Sequence, residues 1–210
     1  MEPRTLTGNP DLVGDCGFDQ PPDDPLESLK RWLDAAGKLG VSEPRGITLA
    51  TVDSFGRPST RVLFLRSIGE KGLVFSTSSG SAKGKDLAAN PWAAGTLWWR
   101  ETVQQINVQG FVRKLSDVES DEVFMTRTRE AKAVSVISKQ SAPLENEKLL
   151  KDSVNNLVKG EGEIVRPNCW HAYILEPTCI EFWHGGTDRF HKRLRYDLKD
   201  GNWGHQRLQP

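Results

Sequence analysis

Between Gly46 and Leu115 the chain carries five short β-type runs: Ile47 to Val52, Ser59 to Ser67, Leu73 to Thr77, Ala94 to Trp99 and Val103 to Leu115. Two of the connections, Asp53-Ser54-Phe55-Gly56-Arg57-Pro58 and Gly69-Glu70-Lys71-Gly72, have hairpin composition. Closely spaced strands of this kind leave sheet edges that must be covered or joined, so the pattern favours a closed or half-closed antiparallel barrel. The β pattern resumes at His171 to Leu175 and Ile180 to Trp183. It returns from Trp203 to Leu208 after a Lys199-Asp200-Gly201-Asn202 turn.

Helical periodicity fills much of the remainder. Asp24 is a cap and Pro25 a first-turn residue for Leu26, Leu29, Trp32, Leu33 and Ala36, which recur at three and four as a packing helix. Ser81 to Asn90 reads as a short helix. Its start, Ser78-Ser79-Gly80-Ser81-Ala82-Lys83, gathers hydroxyls, backbone N–H groups and a lysine, which suits either a phosphate or a plain serine cap. Residues 116–159 are mostly helical in pattern, with Ser116 and Ser141 as candidate caps. Residues 1–23 hold too little apolar content to fold alone and read as a mobile arm, leaving residues 24–210 as one domain.

Charge is balanced, 28 Lys plus Arg against 28 Asp plus Glu, so no net field draws nucleic acid or an anionic membrane and any basic site is local. Cys16, Cys169 and Cys179 show no metal-ligand spacing, and no metal is expected. Their odd number fits a reducing compartment. No run approaches the roughly 20 apolar residues of a membrane span, and the expected location is cytoplasmic.

The densest stretch runs from Glu181 to Tyr196. A β run ending in Trp183 meets Gly185-Gly186, expected as a tight turn using positive φ, and a second run carries Arg189, His191, Arg193 and Arg195 at spacing two. On a strand these four share one face, while Phe190, Leu194 and Tyr196 take the other. Such a row is either a solvated surface or the meeting place of an anion.

Arg61-Val62-Leu63-Phe64-Leu65-Arg66, Val74-Phe75-Ser76-Thr77, Ser81-Ala82-Lys83, Gln104-Gln105, Ser138-Lys139-Gln140-Ser141, Phe182-Trp183-His184-Gly185-Gly186 and Arg189-Phe190-His191-Lys192-Arg193 together resemble the pyridoxine 5′-phosphate oxidase family. The likeness runs in order from about residue 24 to Pro210. It implies an FMN-binding split barrel of antiparallel Greek-key type with flanking helices, assembled as a homodimer with FMN in clefts at the subunit interface. It also assigns the FMN phosphate to Arg61 and Lys83, with Ser76, Thr77 and the segment Val62, Leu63, Phe64, Leu65 and Arg66 nearby. Gln105, Gln140, Ser141, Trp183 and Arg193 go to the flavin, several of them from the opposite subunit. Arg189 and His191 become the catalytic pair at the polar edge of the substrate. Trp92, Trp98, Trp99, Trp203 and Tyr173 are left as core or interface.

The likeness also exposes departures. Where the family holds its phosphate ester with Lys, Tyr, Arg and Ser, this chain has Arg66, Val123, Arg127 and Ala131. Two lost hydroxyl donors to a dianion cost about 1.5 to 3 kcal/mol each, and the pocket becomes larger and more apolar. Ala82 stands where the family usually has Arg. A similar alteration marks the phenazine-biosynthesis flavin oxidases, which the chain resembles further in Asn90-Pro91-Trp92-Ala93, Trp99-Arg100-Glu101-Thr102 and Arg193-Leu194-Arg195-Tyr196-Asp197. That branch implies a partly reduced tricyclic phenazine carboxylic acid as substrate, met by Arg66, Arg127, Arg189 and His191, and molecular oxygen as electron acceptor. Two other readings remain, a pyridoxine or pyridoxamine 5′-phosphate oxidase and a non-catalytic flavin-binding protein. Val123 and Ala131 argue against the first, and the retained Arg189-x-His191 against the second.

Overall fold

The computed structural model describes residues 8–13 and 16–210. Its helices are α1 (Pro25–Lys38), α2 (Ala82–Ala89), α3 (Asp117–Met125), α4 (Arg129–Ile137) and α5 (Glu147–Lys159). Its strands are β1 (Gly46–Val52), β2 (Pro58–Phe64), β3 (Ser67–Ile68), β4 (Leu73–Ser78), β5 (Trp92–Trp99), β6 (Gln104–Lys114), β7 (Trp170–His184), β8 (Lys192–Lys199) and β9 (Asn202–Leu208). They form one antiparallel sheet in the order β2-β1-β5-β6-β7-β4-β3, with β8 on β7 and β9 on β8.

The two ends of that order, β2 and β3, are consecutive in sequence and separated only by Leu65 and Arg66. Leu65 N–H donates to the Arg45 carbonyl at 3.0 Å, next to β1, and Arg66 N–H donates to the Val74 carbonyl of β4 at 2.7 Å. One extended stretch therefore changes partner midway and closes the sheet, so the expected barrel forms without two long bare edges.

Alternation along the strands fills the barrel. Ile47 and Leu49 of β1, Leu97 and Trp99 of β5, Ile106 and Val108 of β6 and Phe182 of β7 are buried in one cluster with Leu29, Trp32 and Ala36 of α1. The helix starts as its sequence dictates: the Asp24 side chain accepts the Leu26 N–H at 2.9 Å, and Pro25 occupies the first turn. Trp32 then packs 5.1 Å from the Phe182 ring and 5.8 Å from that of Phe18. On the outer side, α3, α4 and α5 cover part of β4 and β7 through Val74, Leu115, Ala172 and Ile174 and through Phe124, Ala133, Ile164 and Trp170. Elsewhere the outer side is bare: Val62, Phe64, Trp92, Trp98 and Phe111 are 42% to 65% exposed.

Several local expectations change. Residues 1–7, 14 and 15 of the expected arm lie outside the described residues, but in the rest Phe18 is buried, Asn9 N–H donates to the Glu101 carbonyl and Tyr196 Oη donates to the Pro22 carbonyl. Ser141 does not cap a helix of its own; Asn146 caps α5, and Thr128 caps α4. The two runs expected between His171 and Trp183 are one strand, β7, because a bulge absorbs the break around Pro177. Gly110 sits opposite, where an added Cβ would lie 2.0 Å from the Glu176 carbonyl oxygen.

Gly110→Ala must therefore push β6 from β7. The expected cost is about 1 to 3 kcal/mol, read as a lower urea midpoint at unchanged slope; an unchanged midpoint would show that the bulge yields freely.

Candidate functional site

Strand alternation turns Arg61 of β2 toward the core side, in register with Leu49. Its guanidinium donates to Thr51 Oγ1 at 2.7 Å, to the Leu49 carbonyl at 3.3 Å and to Ser59 Oγ at 2.7 Å. Lys83, in the first turn of α2, reaches Thr77 Oγ1 at 3.3 Å. Burial lowers the pKa of both cations, and the charge of Arg61 lowers Lys83 further; Asp86, 3.7 Å from Arg61, opposes this. The Asp86 carboxylate also accepts the Thr51 hydroxyl at 2.6 Å. Two desolvated cations thus share one carboxylate beside the start of a helix, which fits a phosphate dianion.

The loop after α4 closes on this pocket. Gln140 Oε1 accepts from Thr77 Oγ1 at 3.1 Å and from the Ser78 N–H at 3.2 Å, and Ser141 Oγ accepts the Ala82 N–H at 3.2 Å. Ser141 holds φ of 70°, an uncommon conformation for a residue with a Cβ. Arg61, Thr77 and Lys83, which the resemblance gives to the phosphate, thus lie together with Gln140 and Ser141, which it gives to the flavin. Within the segment between Arg61 and Arg66, Leu65 is buried and Leu63 half-buried in the core, while Val62 and Phe64 face outward.

A second cationic centre lies beneath α3 and α4. Arg127 donates through Nη1 to Ser135 Oγ at 2.7 Å, and its guanidinium lies 5.0 Å from the Trp170 ring and 5.8 Å from that of Phe124. Its Nε is buried with no hydrogen-bond partner. Burial, and then the charge of Arg66, push Arg127 down to about 10. Arg66 makes a 3.4 Å contact from Nε to Ser76 Oγ. Among the described residues, no carboxylate forms an ion pair with either arginine. Val123 packs half-buried between the two apolar clusters under these helices, and Ala131 is half-buried in the first turn of α4. The motif reading missed Ser135; its place four residues after Ala131, on the same helix face, was the available signal.

A third group projects from the outer side of the wall. Gln105 pairs in register with Trp183, and Trp183 with Arg193. Trp98, exposed beside them, has its ring 6.2 Å from that of Trp183. The row of like charges expected here is neutralised on the strand: Glu181 receives Arg193 through two hydrogen bonds of 2.8 and 3.0 Å, and Asp197 receives Arg195.

The tight glycine turn is corrected to a loop over residues 185–191. Positive φ falls on Arg189, at 70°, and not on the glycines. Gly186 is needed for close approach, since a Cβ there would lie 2.6 Å from Asp188 Oδ1 and 2.9 Å from the Phe190 carbonyl oxygen. Arg189 and His191 consequently do not share a strand face, and Phe190 is 75% exposed instead of packed. His191 accepts the Gly186 N–H through Nδ1 at 3.1 Å, with its ring 4.8 Å from that of Trp183. In the neutral ring the proton therefore sits on Nε2.

Residues 33–157 match the family described as Pyridoxamine 5'-phosphate oxidase, and residues 170–210 match the Pyridoxine 5'-phosphate oxidase C-terminal dimerisation region. The chain is 41% identical over 193 residues to a dihydrophenazinedicarboxylate synthase of Pseudomonas chlororaphis, covering 92% of this chain and 87% of that protein. It is also 41% identical over 189 residues to a pyridoxine/pyridoxamine 5'-phosphate oxidase of Mannheimia succiniciproducens, covering 90% of each. A crystal structure of PhzG from Burkholderia lata 383 in complex with tetrahydrophenazine-1-carboxylic acid matches with a TM-score of 0.91 at 39% identity, over 92% of this chain and 96% of that one. Equal identity to the first two means that overall likeness does not choose between their activities.

Lys83→Ala tests whether this pocket takes the FMN phosphate. The FMN Kd should rise roughly ten- to a hundred-fold for a loss of about 1.5 to 3 kcal/mol, measured by flavin fluorescence on dilution. An unchanged Kd would take Lys83 out of the pocket.

Proposed function

Because the chain belongs to the pyridoxamine 5′-phosphate oxidase family, with FMN as its cofactor, we propose that it is the flavin-dependent oxidase of a phenazine pathway, acting on a partly reduced tricyclic phenazine carboxylic acid. The observation that carries this reading is the half-buried Arg127 guanidinium, its Nε buried and unpaired, beside Arg66 and without a carboxylate of its own, on the helices that bring Val123 and Ala131, which carry no hydroxyl. A desolvated cation of this kind calls for an anionic ligand. Guanidinium forks match a planar carboxylate with two parallel bonds. The third oxygen of a phosphate ester asks for further donors, and aliphatic side chains at 123 and 131 provide none.

Bound FMN supplies hydride acceptance and the return of electrons to oxygen. The chain's own tasks are to bind and orient. Arg61 and Lys83 hold the phosphate, Arg66 and Arg127 take the substrate carboxylate, and Trp183 lends an apolar flank. His191, with Nδ1 already engaged, presents Nε2 to the substrate for orientation or proton exchange. Arg189, exposed in the same loop, meets a further carboxylate.

The chain forms a homodimer in this reading. Arg61 and Thr77 lie on the core side of their strands and Gln105, Trp183 and Arg193 on the outer side, so the outer group of one protomer completes the pocket of its partner. The match to a dimerisation region and the bare Val62, Phe64 and Trp98 support this assembly. A cytoplasmic location rests on the odd, widely spaced cysteines.

Two measurements test the reading. In sedimentation the wild type should run as a dimer, and Trp98→Glu should shift it toward monomer with release of FMN; a monomer with full FMN occupancy would contradict the shared cleft. In turnover assays the wild type should oxidise tetrahydrophenazine-1-carboxylic acid and act poorly on pyridoxine 5′-phosphate. Val123→Tyr with Ala131→Ser should reverse that order, adding two donors worth about 1.5 to 3 kcal/mol each and crowding the ring. Efficient wild-type turnover of the phosphate ester would sink the assignment.

A further inference from the structure

We propose that Ser135 is a positioning residue that sets Arg127 for a carboxylate in preference to a phosphate ester, an inference that rests on the tricyclic-acid reading above. Ser135 Oγ accepts from Arg127 Nη1 at 2.7 Å and donates to the Ala131 carbonyl, one helical turn back, at 2.9 Å. A hydroxyl has one proton, and here the helix carbonyl takes it. Only acceptor character remains, which attracts the guanidinium and offers nothing to an anionic oxygen. Ala131 contributes a methyl group, so neither position supplies a hydroxyl donor to the ligand.

The same contact fixes the guanidinium plane. With Nη1 on Ser135 and the aromatic rings of Trp170 and Phe124 nearby, the edge left for a ligand is that of Nε and Nη2. Nε is buried and has no partner. Those two N–H groups point the same way and span the two oxygens of one carboxylate. Without the hydroxyl the plane can rotate and the edge is presented only part of the time, so the expected loss is in binding and not in the chemical step.

The test uses FMN-loaded protein with tetrahydrophenazine-1-carboxylic acid as substrate. Ser135→Ala should raise KM roughly ten- to a hundred-fold, the range expected for one hydrogen bond to a charged group, with kcat, FMN occupancy and thermal midpoint unchanged. Ser135→Thr should restore KM. In an Arg127→Lys background, where the fork is gone, Ser135→Ala should add no further loss. A wild type that does not oxidise the acid overturns the substrate reading and this inference with it. An active wild type whose KM is untouched by Ser135→Ala, or an equal loss in the Arg127→Lys background, overturns the role of Ser135 alone.

Discussion

The closure between Arg66 N–H and the Val74 carbonyl, 2.7 Å long, is the constraint on which the two cationic centres depend. It makes the stretch from Pro58 to Ile68 leave β1 and join β4 without interruption. Arg61, upstream of the crossing, is held on the core side beside α2, whereas Arg66, at the crossing, contacts Ser76 and bears on Arg127 beneath α3 and α4. One short segment thus contributes to two cationic centres because its strand changes neighbours between them.

Charge balance across the chain conceals a local imbalance. Most partly buried arginines are answered nearby: Arg166 by Asp117 and Asp121, Arg193 by Glu181, Arg195 by Asp197. Arg129 is answered by the carbonyls of Leu157, Val158, Gly160 and Gly162 instead. Arg127 has neither, with exposed Arg66 adding to its charge, and Arg61 with Lys83 have one carboxylate between them. Partly buried cations without a full counter-charge are costly, and the proposed ligand sites are placed where that cost is concentrated.

How much of this was legible in the sequence depends on the range of the interaction. The strands from Gly46 to Leu115, α1 and α2 follow from alternation, turn composition and caps, all local, and the structure reproduces them to within a few residues. The motif series also led to Arg61, Lys83, Thr77, Gln140 and Ser141, which meet in one pocket. The loop before β8 misled because alternating basic residues look the same in a strand and in a folded loop; the Asp188 side chain, which accepts the Phe190 N–H, decides the matter. Pro177 reads as a strand break, yet the bulge opposite Gly110 accommodates it. Ser135 acquires meaning only once Arg127 is seen to reach it across α4.

In the proposed reading, the carboxylate of Asp86, placed beside both Arg61 and Lys83, also ties folding to cofactor supply. A dianion settling between those cations relieves their repulsion only in the native state, since the unfolded chain has no such pocket. Native protein is then favoured by mass action, by about 2.7 kcal/mol when free FMN stands at a hundred times its Kd. Flavin scarcity would then lower occupancy and stability together, since both follow from the same ratio of free FMN to Kd, and the empty molecules are the ones left with only the chain's own stability.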